Sequence, residues 1–301
     1  MYNKGSRALL VLLVRLFSAF LATLASANLY IVKNKDCRLG DALVMGEFKN
    51  ITYQKDDGVA KITINRPPFN ILNVETLREI AEALEDVGKD DGIKVLVVTG
   101  GGEKAFSAGV EIKDHLPDKI KETLESFHRV FHLLAEISKP TVAVVRGFAY
   151  GGGCEFASAC DIVLASEDAQ FGQQEVKVGA IPTVATVLLP RIIGRKKALE
   201  IIFTGDTITA AEAKQIGLIN EVFPAAELEE AVNKLIEKFK KKSPVVLKLI
   251  RMSVYQGLNK DFKEALDGVT DIYLNRLIKT EDAVEGLKAF LEKRKPKWKG
   301  K

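Results

Sequence analysis

Two glutamates twenty residues apart stand where a carboxylate is costly to keep. In GFAYGGGCEFASACDIVLASEDAQFGQQEVKVG, residues 147–179, Glu155 follows three consecutive glycines, and Glu175 sits between a glutamine pair and a valine. An apolar pocket raises a carboxyl pKa toward neutrality, and a nearby like charge raises one member of a pair further. Two such groups facing one small cavity can hold a water, take a proton from it and deliver a proton to the other end of a double bond. Spacing alone leaves a plainer alternative open: one helix-start acid satisfied by backbone N–H groups, and one surface acid.

Two glycine-bearing turns accompany the acids. VLVVTGGGEKAFSAGVE and VAVVRGFAYGGGCE each run a strand into glycines. Glycine lets a backbone approach a ligand closely, and two such turns at adjacent strand ends can aim one N–H each at a single oxygen. That is an oxyanion hole, suited to charge developing on a carbonyl. Tight turns with close helix packing are the competing explanation. Neither stretch matches GxxxxGK[ST] or a well-placed GxGxxG, which argues against a nucleotide triphosphate or dinucleotide site.

The elements that must position these residues alternate. ITYQ and VAKITI, joined by DDG, read as a hairpin. VETLREIAEALEDVGKD carries Leu77, Ile80, Ala81 and Leu84 at helical spacing. KVLVVTGGG is a buried strand, and IKETLESFHRVFHLLAEISK is a helix with Phe127, Val130, Phe131 and Leu134 as its stripe. TVAVVRG and DIVLAS are further strands flanking a helix that starts at the glycines, and the chain is helical almost throughout from AALEEAVNKLIEKFK onward. Strands alternating with helices predict an α/β domain with a largely parallel sheet. We divide the chain into an apolar N-terminal extension outside the core (1–45), an α/β core (46–240) and a C-terminal helical region (241–301).

Composition permits one large core: 301 residues, 47% hydrophobic. A net charge of +4 on 44 basic and 40 acidic side chains does not describe a general nucleic-acid binder. Cys37, Cys154 and Cys160 form no CxxC and are odd in number, so neither a disulfide framework nor a zinc knuckle is indicated, and a reducing, cytoplasmic setting is expected. The leader MYNKGSRALLVLLVRLFSAFLATLASANLYIV fits three origins: residues upstream of a working start at Met45, a targeting or membrane segment, or a packed arm. No stable membrane partner is expected for the core.

From about Phe48 to the C-terminus the chain resembles the enoyl-coenzyme A hydratase/isomerase superfamily, the crotonase fold. NRPPFNILN, KAFSAGVEI, KPTVAVVRGFAYGGGCEFASACDIVLAS, AQFGQQEVKVG, FTGDTITAAEAKQIGLINEVF and FLEKRKPKW carry the resemblance in order. It implies repeated ββα units and a C-terminal helical region that forms trimers, usually paired into hexamers. It implies an acyl-coenzyme A thioester as substrate, with no separate cofactor and no metal. The thioester carbonyl would be held by the N–H groups of Val110 and Gly152. Ala108, Gly109, Gly151, Ile181, Pro182 and Thr183 would line the substrate. Glu155 and Glu175 match the two acids of the hydratases, with Glu155 orienting and activating water and Glu175 protonating the α-carbon. Lys293 and Lys297, near Trp298, become candidate coenzyme A phosphate contacts; read alone, EKRKPKWKGK is a solvated basic tail.

One departure bears on substrate. Where the family pattern resembles GxIPGxGGTQRL, this chain has Thr183, Val184, Ala185, Thr186 and Val187 after Pro182. Together with NRPPFNILN, this resembles the branch of the family that hydrates cyclic dienoyl-coenzyme A compounds, such as cyclohexa-1,5-diene-1-carbonyl-coenzyme A, and the added bulk and stiffer backbone suit a compact ring. A straight short-chain enoyl substrate, isomerase chemistry and a catalytically silent acyl-coenzyme A-binding homologue are the alternatives. His128 and His132, four apart on a helix, read as surface or packing histidines because no third metal ligand is placed. Cys154 reads as a packed thiol.

Overall fold

The structure, a computed structural model, describes residues 43–44 and 48–301. The expected extension over 1–45 therefore lies outside the described residues, except for Leu43–Val44. Those two form a short strand, β1, antiparallel to β2 (Ile51–Asp56). β2 turns through Asp57-Gly58 into β3 (Val59–Ile64), the predicted hairpin. Asn73 then caps α1 (Val74–Lys89) by accepting from the Thr76 N–H at 2.9 Å, and Leu77, Ile80, Ala81, Leu84 and Val87 are buried.

The next three passes of the chain repeat one unit. β4 (Val95–Gly100) and β5 (Ala105–Ser107) lead to α2 (Ile120–Glu136). β6 (Thr141–Val145) and β7 (Phe148–Tyr150) lead to α3 (Gly152–Ser158). β8 (Ile162–Ser166) and β9 (Gln170–Gly172) lead through a 3-10 turn at Glu175–Val178 to α4 (Ala185–Ile192). The first strand of each pair joins a seven-stranded sheet of order β1-β2-β3-β4-β6-β8-β11, where β11 is Glu221–Phe223. The second strands form a separate sheet, β10-β9-β7-β5, with β10 at Thr207–Thr209. β5, β7 and β9 are parallel neighbours.

The apolar runs VLVV and TVAVV follow from burial on both sheet faces. Leu96, Val98, Ala143 and Val145 face the main core, while Val95, Val97, Val142 and Val144 pack with Leu228, Val232 and Ile236 of α7 (Leu228–Lys240). α5 (Arg195–Thr204) and α6 (Ala210–Gln215) lie between α4 and α7 in the chain. The C-terminal region is α8 (Pro244–Gly257), α9 (Phe262–Asn275) and α10 (Glu281–Leu291). Arg251 joins it to the core. Its guanidinium donates to Asp161 at 2.8 Å and to the carbonyls of Leu134 and Ala135 at the end of α2. A cation thus satisfies carbonyls that the helix leaves open, and α2 is held firmly at that end. No helix among the described residues is long and apolar enough to cross a membrane.

Candidate active site

The short strands of the second sheet end side by side, and each end carries part of the site. After β5 come Ala108, Gly109 and Val110. Leu72 N–H donates to Gly109 O at 2.9 Å, Ala108 N–H donates to Phe69 O at 2.9 Å, and Ser107 Oγ accepts from Gly109 N–H at 3.1 Å. After β7 come Gly151 and Gly152, the latter opening α3. A Cβ on Gly109 would lie 3.4 Å from Gly152 N, so the two turns touch. Among the described residues neither the Val110 N–H nor the Gly152 N–H has a protein acceptor. Both N–H groups are therefore left without a protein partner on adjoining turns. Gly152 must lack a side chain here, since a Cβ would lie 2.8 Å from Val110 Cγ2 and 3.1 Å from the Phe127 ring.

Glu155 sits one turn into α3 and is 2% exposed. Its Oε1 accepts from the N–H groups of Val184 and Ala185 at 2.8 and 2.7 Å. Burial, and then the charge of Glu175, push its pKa up to about 8, against the pull of those two donors. Glu175 follows β9, and burial raises its pKa to about 6. A Cβ on Gly151 would lie 2.7 Å from Glu175 Oε1, so this acid leans directly on the glycine turn. Gly151 also has φ +50°, a conformation natural only to glycine. A buried and a half-buried carboxyl with staggered titrations, beside two free N–H groups, can share one proton across a water and stabilise an oxyanion.

The sequence reading missed Gln173. It is fully buried, and both its amide atoms, like Glu175 Oε2, lack a protein partner among the described residues. Its place two residues before Glu175 was the available signal. The Val184 and Ala185 donors were also missed, because a backbone N–H is not announced by residue type. Of the remaining candidates, Pro182 is buried and Ile181 is 72% exposed. Thr183 Oγ1 lies 2.9 Å from His128 Nε2 in a hydrogen bond, and Val184 packs on the main core. Lys293 and Lys297 lie exposed beyond α10 and take no part in the hydrogen bonding around the carboxyls. Lys297 lines a cavity of about 770 Å³ with Lys279, Lys288, Arg294, Lys295 and Lys299. Cys154 is buried and its thiol is pushed up to about 12, which suits packing rather than attack.

A family profile for enoyl-CoA hydratase/isomerase matches residues 54–301. The chain belongs to that family. Its α/β architecture is the crotonase fold of the family. A short-chain-enoyl-CoA hydratase of Clostridium acetobutylicum is 37% identical over 257 residues, covering 83% of this chain and 97% of the relative. A crotonyl-CoA hydratase of Syntrophomonas wolfei is 37% identical over 253 residues, covering 82% of this chain and 97% of the relative. The crystal structure of an enoyl-CoA hydratase from Bacillus anthracis superposes with a TM-score of 0.81 at 33% identity, over 84% of this chain and 100% of that one. None of these family members is named for a cyclic dienoyl substrate, so the comparisons do not single out that branch.

Proposed function

We propose that this protein is a hydro-lyase that adds water across the double bond of a short straight-chain α,β-unsaturated acyl-coenzyme A thioester. Two unpartnered N–H groups, Val110 and Gly152, on touching turns beside the buried Glu155 and the half-buried Glu175, carry the reading. The thioester oxygen accepts both N–H bonds. Glu155, already held at Oε1, takes a proton from the water as its oxygen bonds to the β-carbon. Electron density moves onto the thioester oxygen, where the two N–H groups stabilise it. Glu175 then gives its proton to the α-carbon as the carbonyl reforms. H and OH are added, and the proton has passed from one carboxyl to the other.

The titration order places the resting proton on Glu155, whereas this division of roles needs it on Glu175. The two backbone donors on Glu155 favour its carboxylate, and a water bridging the acids lets the proton cross before attack.

Two observations favour a straight chain over a ring. The hydratases with substrates in their names are short-chain-enoyl- and crotonyl-CoA hydratases. The bulk at 183–184 is also engaged elsewhere, Thr183 with His128 and Val184 with the core. Purified full-length protein should remove the conjugated-thioester absorbance of crotonyl-coenzyme A and yield the 3-hydroxyacyl product. It should do so with a higher kcat/KM than for cyclohexa-1,5-diene-1-carbonyl-coenzyme A. Inactivity on both would overturn the hydratase reading, and a preference for the ring would overturn the straight-chain choice alone.

A further inference from the structure

The turn that holds Glu155 is itself held from one side. Within residues 182–186, Thr186 N–H donates to Pro182 O at 3.0 Å, and Thr186 Oγ1 donates to Thr183 O at 2.9 Å. Val187 and Leu188 N–H groups both return to Val184 O. All these bonds are local. Beyond those to Glu155, the bond from the turn to another element, among the described residues, is the one between Thr183 Oγ1 and His128 Nε2, at 2.9 Å.

We propose that His128 is a positioning residue: it latches Thr183 to α2 and so keeps the Val184 and Ala185 N–H groups aimed at the Glu155 carboxyl. The anchor is rigid, because α2 is tied at its C-terminal carbonyls by Arg251 and at Thr123 by a hydroxyl donated to Asp114 O at 2.9 Å. The bond is half-buried, with a mostly apolar cavity beside it. His128, Phe131, Thr183, Val184 and Leu188 line a cavity of about 360 Å³, mostly apolar. The titratable groups facing it are His132, one turn along α2, and Tyr255 from α8. Burial, then His132, hold the His128 pKa below its usual value, so the ring is neutral at neutral pH. A neutral imidazole on a fixed helix offers Thr183 one defined partner, whereas glycine at 183, as in the family pattern, would offer none.

The inference rests on Glu155 being a reacting carboxyl. Slackening the latch weakens two N–H bonds that favour the Glu155 carboxylate, and misplacement by about 1 Å can cost about 100-fold in rate. Thr183→Val and His128→Leu in the full chain should each lower kcat about 10-fold with KM nearly constant, and should move the alkaline limb of the pH–rate profile upward. The double variant should be no worse than either single one, because both remove one bond. Thr183→Ser should recover most of the loss. An unmoved alkaline limb, or additive losses in the double variant, would overturn the latch. Glu155→Gln separates the readings. If it stays active, the role of Glu155 fails and the latch with it. If it is inactive while Thr183→Val runs at the parent rate with an unmoved limb, the latch alone fails.

Discussion

Gly151 N–H donates to the Gly172 carbonyl at 2.8 Å, one residue beyond the register pair Tyr150–Gly172. That bond ties together the two turns that carry the acids. From Gly151 the chain enters α3 and reaches Glu155; from Gly172 it passes Gln173 and reaches Glu175. Sequence separation is thereby converted into spatial proximity by parallel strand pairing, and the acids meet because β7 and β9 end together.

Removing either acid should stop turnover without unfolding the protein. Glu155→Gln and Glu175→Gln preserve shape and an acceptor oxygen, and each should lower kcat on crotonyl-coenzyme A about 10²- to 10⁴-fold, the usual range for a lost general acid or base. Circular dichroism and oligomer size should match the parent. Near-parental rates in both variants would remove the hydratase mechanism.

The rate should follow a bell in pH. The active pair holds one proton, so activity falls below about pH 6, where both carboxyls are protonated and no base remains. It falls again above about pH 8, where both are ionised and no acid remains. The two limbs belong to the coupled pair rather than to either residue alone. A profile flat from pH 5 to 9 under kcat/KM conditions would exclude this pair as the proton carriers.

Gly151→Ala should be more damaging than its size suggests. The new methyl would lie 2.7 Å from Glu175 Oε1 at a residue with φ +50°. Displacing Glu175 by even part of an ångström should cost about 10- to 100-fold in kcat. Gly152→Ala should do the same through Val110, by separating the two N–H donors. Kinetics for both variants, alongside thermal melts, decide whether the loss is catalytic or a failure to fold.

Much of the fold could be read from pattern because the large strands are buried on both faces. VLVV and TVAVV are continuous apolar runs, and the α1 and α2 stripes at Leu77, Ile80, Leu84, Phe127 and Leu134 are long enough to show a helical period. AFS, FAY and QFG are three-residue strands, too short for any period; the first two read as parts of turns and the third as no element at all. The second sheet was therefore invisible until its pairing was seen, although it brings the site together. The His128–Thr183 bond spans 55 residues and two elements, and no local pattern encodes it. The resemblance to the hydratases reached the glycine turns and the acids, because their residue types are specific. It did not reach Gln173 or the donors at Val184 and Ala185.

A chain beginning at Met45 should fold, assemble and hydrate crotonyl-coenzyme A. It would lose Leu43 and Val44, two residues paired with the edge of β2, while β2 keeps its full register with β3. Size-exclusion behaviour and kcat should match the full chain. If the shortened protein aggregates while the full chain remains soluble, residues before Met45 belong to the fold.

Glu155→Gln should also make the protein more stable at alkaline pH, which a carboxyl with an ordinary pKa would not do. The Glu155 pKa is raised in the folded state, from 4.5 to about 8. Between those values the folded state binds a proton that the unfolded chain does not, so stability falls as pH rises through the window. Below it the acid is protonated in both states and costs nothing; above it the full burden of a buried charge is present. Glutamine cannot ionise, and its amide oxygen can still accept from Val184 and Ala185. The variant should match the parent near pH 5 and exceed it by about 1–3 kcal/mol near pH 8.5, an amount reduced by coupling to Glu175. Paired denaturant melts across that range read the difference directly. A constant gap at every pH would mean that the Glu155 pKa is the same folded and unfolded, and the shared-proton mechanism would fall with it.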